Sequence, residues 1–162
     1  MPIEFILPTS MTLAFVGYGL VARWYLMPRL ARLPLAKAVE PLLLFHSFRF
    51  IGLAFLIPGV TATPLDSRFS APAAYGDLAA ALLALLAILA FRKDWRTAIL
   101  ILWIFNLEGT LDLINAVARG IRYTEDGDLG ATYFIPAVIV PALLVSHWMI
   151  FTLLMKRRQR DS

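Results

Sequence analysis

Eight side chains in this 162-residue sequence are of types that could do chemistry and fall inside otherwise apolar runs: His46, Arg49, Asp77, Asn106, Glu108, Asp112, Asn115 and His147. An ionisable group near the centre of a bilayer costs on the order of 2.5–3.5 kcal/mol on insertion scales, so such residues are candidates for function until shown otherwise. His46 and Arg49 are spaced i, i+3 and share a helix face, with Gly52 three residues further on. Glu108, Asp112, Asn115 and Arg119 make a stripe at i, i+4, i+7, i+11, while Asn106 and Thr110 point nearly opposite. Four chemistries suit this set. Histidines and carboxylates can bind or relay a small solute, an ion or a proton, which predicts a hydrated cavity lined by His46, Arg49, Asn106, Glu108, Asp112 and His147, open toward the cytoplasm. Two histidines on different helices could be axial ligands of a b-type haem, with Arg49 on a propionate. His46, His147 and Asp112 or Glu108 could hold zinc or iron. The fourth alternative is a hydrogen-bonded network that holds helices together, with function in partner binding.

The sequence also removes options. It has no cysteine, so disulfides, thiolate metal sites and cysteine nucleophiles are excluded. No HExxH or GxSxG motif supports a hydrolase, and an enzyme is not the expectation. Gly17-Tyr18-Gly19 is too short for a phosphate loop, so close helix contact is expected there. No cofactor is predicted, and nucleic acid is not an expected partner of the net +4 charge, because the basic residues lie at the ends of apolar runs.

The elements that must position these groups follow from composition. Sixty per cent of residues are apolar and 16% charged, and the mean hydropathy is +0.74. A soluble domain is typically 45–50% apolar and about 25% charged, and a small globule cannot hide such an excess. Five runs are long enough to cross a hydrocarbon core of about 30 Å. They lie at about 5–27, 41–60, 73–91, 97–117 and 133–155 of a single transmembrane domain. Helices are expected, because unpaired backbone in lipid is too costly. The fold class is therefore all-α, a membrane bundle. The opening Met1-Pro2-Ile3-Glu4 lacks a basic n-region, so the first run is expected to remain as a span.

Basic residues divide unevenly between the two ends. Arg23, Arg29, Arg32, Lys37, Arg92, Lys93, Arg96, Lys156, Arg157, Arg158 and Arg160 fall at one end, against Arg68, Arg119 and Arg122 at the other. The positive-inside rule then puts the N-terminus outside and the C-terminus in the cytoplasm of an inner (plasma) membrane. Trp24, Tyr25 and Trp95 mark the basic interface, and Tyr75 and Tyr133 the other. The stretches 61–72 and 119–132 read as irregular loops. The basic tail 156–160 reads as an orientation signal that could also meet anionic headgroups.

With the depths fixed this way, Glu108 is the natural counter-ion of Arg49. Asp77 opens the third span near the outer surface, where a helix dipole favours a carboxylate. Span four, polar on two sides, belongs at the centre of the bundle with spans two and five against it. Pro136 and Pro141 predict a kink in span five. Five spans are few for a transporter, so a homo-oligomer is expected if a solute passes.

His46-x-x-Arg49-x-x-Gly52, Gly76-Asp77, Asn106-x-x-Gly109-x-x-Asp112 and Pro136-x-x-x-x-Pro141 leading to His147, in this order, resemble a group of small polytopic bacterial inner-membrane proteins without an established activity. The resemblance spans about two-thirds of the chain, from span two to span five. It implies a bacterial inner-membrane setting, no particular reaction, and Arg49, Asp77, Asn106, Asp112 and His147 as the positions to test first.

Overall fold

A computed structural model describes residues 2–158. Met1 and the tail positions Gln159 and Arg160 lie outside the described residues, and so does any structural account of the basic tail beyond Arg158. Five helices are long and apolar enough to cross a membrane: α1 Ile3–Leu30, α2 Leu35–Leu56, α3 Ser67–Arg92, α4 Ala98–Tyr123 and α5 Gly130–Lys156. No strand occurs among the described residues.

Several boundaries differ from those read in the sequence, for local reasons. α2 begins at Leu35 behind Pro34 and carries Pro41 in its interior. α3 begins six residues earlier than expected, because the Asp66 carboxylate accepts from the Arg68 backbone N–H and caps it. Pro72 then falls inside the helix rather than in a loop. α4 continues through Tyr123, so 119–123 is helical. The shortened loops 57–66 and 124–129 are tied together. Ala62 N donates to Asp128 O at 3.0 Å and Ala131 N to Val60 O at 3.0 Å, while Thr63 Oγ1 donates to Asp128 Oδ1 at 2.7 Å. Gly130 sits at φ +51°, where a Cβ would lie 2.5 Å from Ala62 N. At the other end of the bundle Arg92 of α3 pairs with Glu40 of α2.

α3 turns its small residues inward and its large ones outward. Ala73, Ala74, Ala80, Ala81, Ala84, Ala87 and Ala90 are buried, while Tyr75, Leu82, Leu85, Leu86 and Leu89 are exposed. That inversion suits a helix in lipid, where small residues let backbones approach and long ones meet acyl chains. α3 therefore packs closely along both α2 and α4, and it occupies the place expected for α4. α4 has an outward stripe of its own, Leu100, Ile104, Leu107, Leu111, Ile114 and Ile121, so it is not central. Its two polar flanks both border the buried face. α1 is mostly exposed and lies along α5, with Ser10 Oγ 2.8 Å from the Tyr133 hydroxyl. Nothing approaches within 4 Å of a Cβ added at Gly17 or Gly19, so the expected close contact at Gly17-Tyr18-Gly19 is absent among the described residues.

The helices are irregular where the site needs it. From Ser47 to Leu56, α2 winds as a 3-10 helix. Such runs rarely exceed three or four residues. The tighter winding eclipses residues three apart, so Arg49, Gly52 and Phe55 stack on one buried line below His46. In α5 the expected proline distortion is a wide π turn, Ile135–Ile139, around Pro136 and just before Pro141. It lies well over a turn from His147 and opens no space beside it.

The capping contact makes a prediction outside the membrane span. The side-chain and backbone hydrogen bonds from Arg68 hold the Asp66 carboxyl down from 3.8 to about 2. A depressed carboxyl contributes stability that is fully present above 3.8 and is lost as the pH falls toward 2. Asp66→Ala should lower the melting temperature in detergent more than Asp66→Asn, which keeps an acceptor. In Asp66→Asn the decline in melting temperature across that acid window should be shallower than in the wild type; an equal decline would contradict the capping role.

Candidate functional site

The second helix delivers a guanidinium to the middle of the bundle. The Arg49 side chain is 0% exposed, and three other helices supply its partners. Nε donates to Asp77 Oδ1 of α3 at 2.7 Å, and Nη2 donates to Asp112 Oδ2 of α4 at 2.6 Å. Nη1 donates to the Gly109 carbonyl at 3.2 Å and makes a long 3.4 Å contact with His147 Nε2 of α5. These charge-assisted bonds are the strong kind, and the two carboxylates sit along two edges of one planar fork.

Glu108 is not the counter-ion that its depth suggests. Among the described residues, Arg49 forms its ion pairs with Asp77 and Asp112. Asp77 is not at the helix entrance either, because α3 begins at Ser67 rather than at Ala73. With the helix beginning at Ser67, Asp77 is about 15 Å in, at about 1.5 Å per residue. Asp112 is about 16 Å from the Tyr123 end by the same measure. Arg49 is about 14 Å from Leu56, at about 2.0 Å per residue of 3-10 helix. The triad is thus level at mid-depth, rather than in the basic half. Glu108 lies one turn from Asp112 on the same helix, half-buried and within electrostatic reach of Arg49, and its buried Oε2 has no hydrogen-bond partner.

Three glycines make this packing possible, one on each helix of the triad. A Cβ at Gly52 of α2 would lie 2.1 Å from Asp77 Oδ2, and one at Gly76 of α3 1.8 Å from Asp112 Oδ1. A Cβ at Gly109 of α4 would lie 2.7 Å from both Arg49 Nη1 and His147 Cε1. Each helix therefore gives up a side chain where its neighbour inserts a charged or ring group.

The histidines form a second layer on the basic side. His147 Nδ1 is 2.7 Å from Asn106 Oδ1, and Asn106 Nδ2 donates to the His147 carbonyl at 3.3 Å. With the Asn106 amide used as donor there, its oxygen accepts, which assigns the proton to Nδ1 and leaves the Nε2 lone pair facing Arg49. His46 Nε2 is 3.2 Å from Ser146 Oγ, a partner that the sequence reading missed although it adjoins His147. His46 Nδ1 is buried without a partner. The two imidazole centroids are 4.2 Å apart, and the His46 ring meets Phe105 edge-on at 5.0 Å.

This arrangement bears on the expected chemistries. His46, Arg49, Asn106 and His147 are 0–1% exposed, so they leave no water-sized space beside them and do not line an open cavity. Two axial imidazoles each need about 2 Å between nitrogen and metal, with a macrocycle between them, and rings 4.2 Å apart leave no such gap. Among the described residues, no group of three or more His, Asp or Glu could hold a metal ion. A cleft of about 140 Å³ lies elsewhere, between α2 and α3 at the basic end, lined by Lys37, Glu40, Leu43, Ile88, Phe91 and Arg92 among others. Asn115 is exposed and accepts from Arg119 Nε at 3.0 Å, outside the triad.

The sequence profile of a family described as a domain of unknown function, DUF8737, matches residues 6–155, and the chain belongs to that family. No curated protein and no solved structure matches the chain.

The glycine contacts set a graded expectation. Gly52→Ala and Gly76→Ala should each lower stability by about 1–3 kcal/mol through overpacking. Gly17→Ala, with open space around it, should be neutral or stabilising by up to about 1 kcal/mol. Thermal unfolding in detergent measures all three. A destabilisation at Gly17 equal to that at Gly76 would refute the packing account.

Proposed function

We propose that the protein is a multi-pass protein of the bacterial inner membrane whose Arg49-centred carboxylate pair binds and releases a proton at mid-depth. One observation carries the reading. A single buried guanidinium stands between two carboxyls, Asp77 and Asp112, with a third acid, Glu108, one helical turn away. Ionised, these three acids exceed the one cation by two charges, since the neutral His147 tautomer adds none. A bilayer does not hold that excess without compensation. A proton shared among the acids is the smallest compensating species, and the close packing leaves little room for a larger one. The eleven-to-three distribution of basic residues supports an N-terminus outside and a C-terminus in the cytoplasm.

A second reading has its own observation. All three nitrogens of the Arg49 fork are engaged by groups from α3, α4 and α5, which is what a purely structural clasp would show. The two readings differ in what moves protons. Infrared spectroscopy of the purified protein should show a protonated-carboxyl band that titrates with pH and is lost or shifted in Asp112→Asn, but not in the exposed-acid control Asp126→Asn. No titrating carboxyl band, or a band unchanged in Asp112→Asn, would leave the clasp as the function of the site.

A further inference from the structure

We infer that the groove between α3 and α4 is a hydrated furrow that connects the Arg49 triad to one membrane face only, the face carrying the loops 57–66 and 124–129. The inference rests on the proton-binding reading of the triad and assigns that site its route and its side.

The α4 wall of the furrow is the polar stripe. Asp112 bonds Arg49 at the blind end. Asn115 follows, exposed, and Arg119 one turn beyond donates to Asn115 Oδ1 at 3.0 Å. The α3 wall is spaced to match. Arg68, Pro72 and Gly76 recur every four residues and so line one side of that helix. Contacts pin the two walls at both ends. Gly76 lies against the Asp112 carboxylate, and Arg119 Nη1 donates to the Arg68 carbonyl at 2.7 Å. Between these points the α3 wall offers a proline and a glycine, with no bulky side chain to cover the stripe. The Asp77 and Asp112 side chains, each 10% exposed, are the part of the triad not sealed from outside.

The opposite direction is closed. Beyond Glu108 the same face of α4 continues as Ile104, Phe105 and Ile101, so the stripe stops about 16 Å short of Thr97 at about 1.5 Å per residue. Inside the bundle, Leu43, Leu102, Phe105, Met149 and Ile150 form an apolar cluster on the basic side of the histidines. Polar groups lying in lipid need water or a partner, and here the walls leave one open end. The groups facing the triad are Arg49 and His46 from α2, Asp77 from α3, Glu108 and Asp112 from α4, and His147 from α5. The expectation of a cavity opening toward the basic, cytoplasmic end is thereby reversed.

The absence of cysteine makes the test direct, because every single-cysteine variant reports alone. Asn115→Cys and Ile114→Cys share one depth on α4, the first in the furrow and the second on the outward face, 54% exposed. A maleimide attacks the thiolate, and a lipid environment that raises the thiol pKa by one unit lowers the thiolate fraction tenfold. Asn115→Cys should therefore react with a membrane-impermeant maleimide at least about tenfold faster than Ile114→Cys. It should do so only from the side on which Asp126→Cys, not Lys93→Cys, is labelled. Arg119→Cys against Ala118→Cys is the second matched pair, should Asn115→Cys fold poorly. Equal labelling within each pair, labelling from the Lys93 side, or ready cross-linking of Asn115→Cys to a second copy would overturn the furrow. These outcomes are independent of the carboxyl band, so a failed route and a failed proton site are told apart.

Discussion

A guanidinium at the centre of an apolar bundle is the constraint from which the rest follows. Desolvating Arg49 is expensive, and it persists only because charged or carbonyl oxygens meet its donors at short range. Meeting them with oxygens from α3 and α4, and with the His147 ring of α5 alongside, requires backbones closer than side chains normally allow. Gly52, Gly76 and Gly109 supply that closeness, each beside the group that a neighbouring helix inserts. The 3-10 winding of Ser47–Leu56 belongs to the same solution. It sets Arg49 and Gly52 on one line, so the helix that delivers the charge also makes the space for the Asp77 carboxylate that neutralises it.

The arrangement is asymmetric about the guanidinium. On the basic side lie neutral rings and amides: His147 held by Asn106, His46 held by Ser146, and the apolar cluster beyond them. Level with the guanidinium stand the Asp77 and Asp112 carboxyls, and toward the other face runs the stripe through Asn115 to Arg119. A site with a polar stripe toward one face and sealed imidazoles toward the other is polarised. That polarity gives the proton reading a direction. The buried nitrogen of His46 and the buried oxygen of Glu108 have no hydrogen-bond partner, and both are open positions in an otherwise satisfied network.

Much of the bundle was legible because lipid imposes a simple rule on composition. Five apolar runs became five helices, and Arg49, Asn106, Asp112 and His147 converge as their shared burial in those runs suggested. The failures have physical causes. The start of α3 was set at its first long apolar stretch. Its capping residue Asp66 lies seven residues earlier, and Pro72 falls between them inside the helix. That error moved Asp77 to the surface and left Glu108 as the apparent partner of Arg49. The series His46, Arg49, Gly52, Phe55 repeats every three residues, the period of the 3-10 winding that Ser47–Leu56 adopts, but one such series also fits the i, i+3 face of an α-helix. The glycines were visible in the motifs, whereas their roles depend on which neighbour inserts a side chain, and single-sequence spacing does not carry that. The placement of α4 at the centre failed because polar residues flank its buried face without encircling the helix; its outward stripe from Leu100 to Ile121 meets the surroundings.

The central claim, that Arg49 and Asp77 are held in the bundle by one another, is tested most directly by a double-mutant cycle on thermal stability using Arg49→Gln and Asp77→Asn. For residues in one buried network the account predicts a coupling of about 1–3 kcal/mol, the double variant losing much less than the sum of the single ones. Additivity within about 0.5 kcal/mol would contradict it, since that is the behaviour of residues that do not meet.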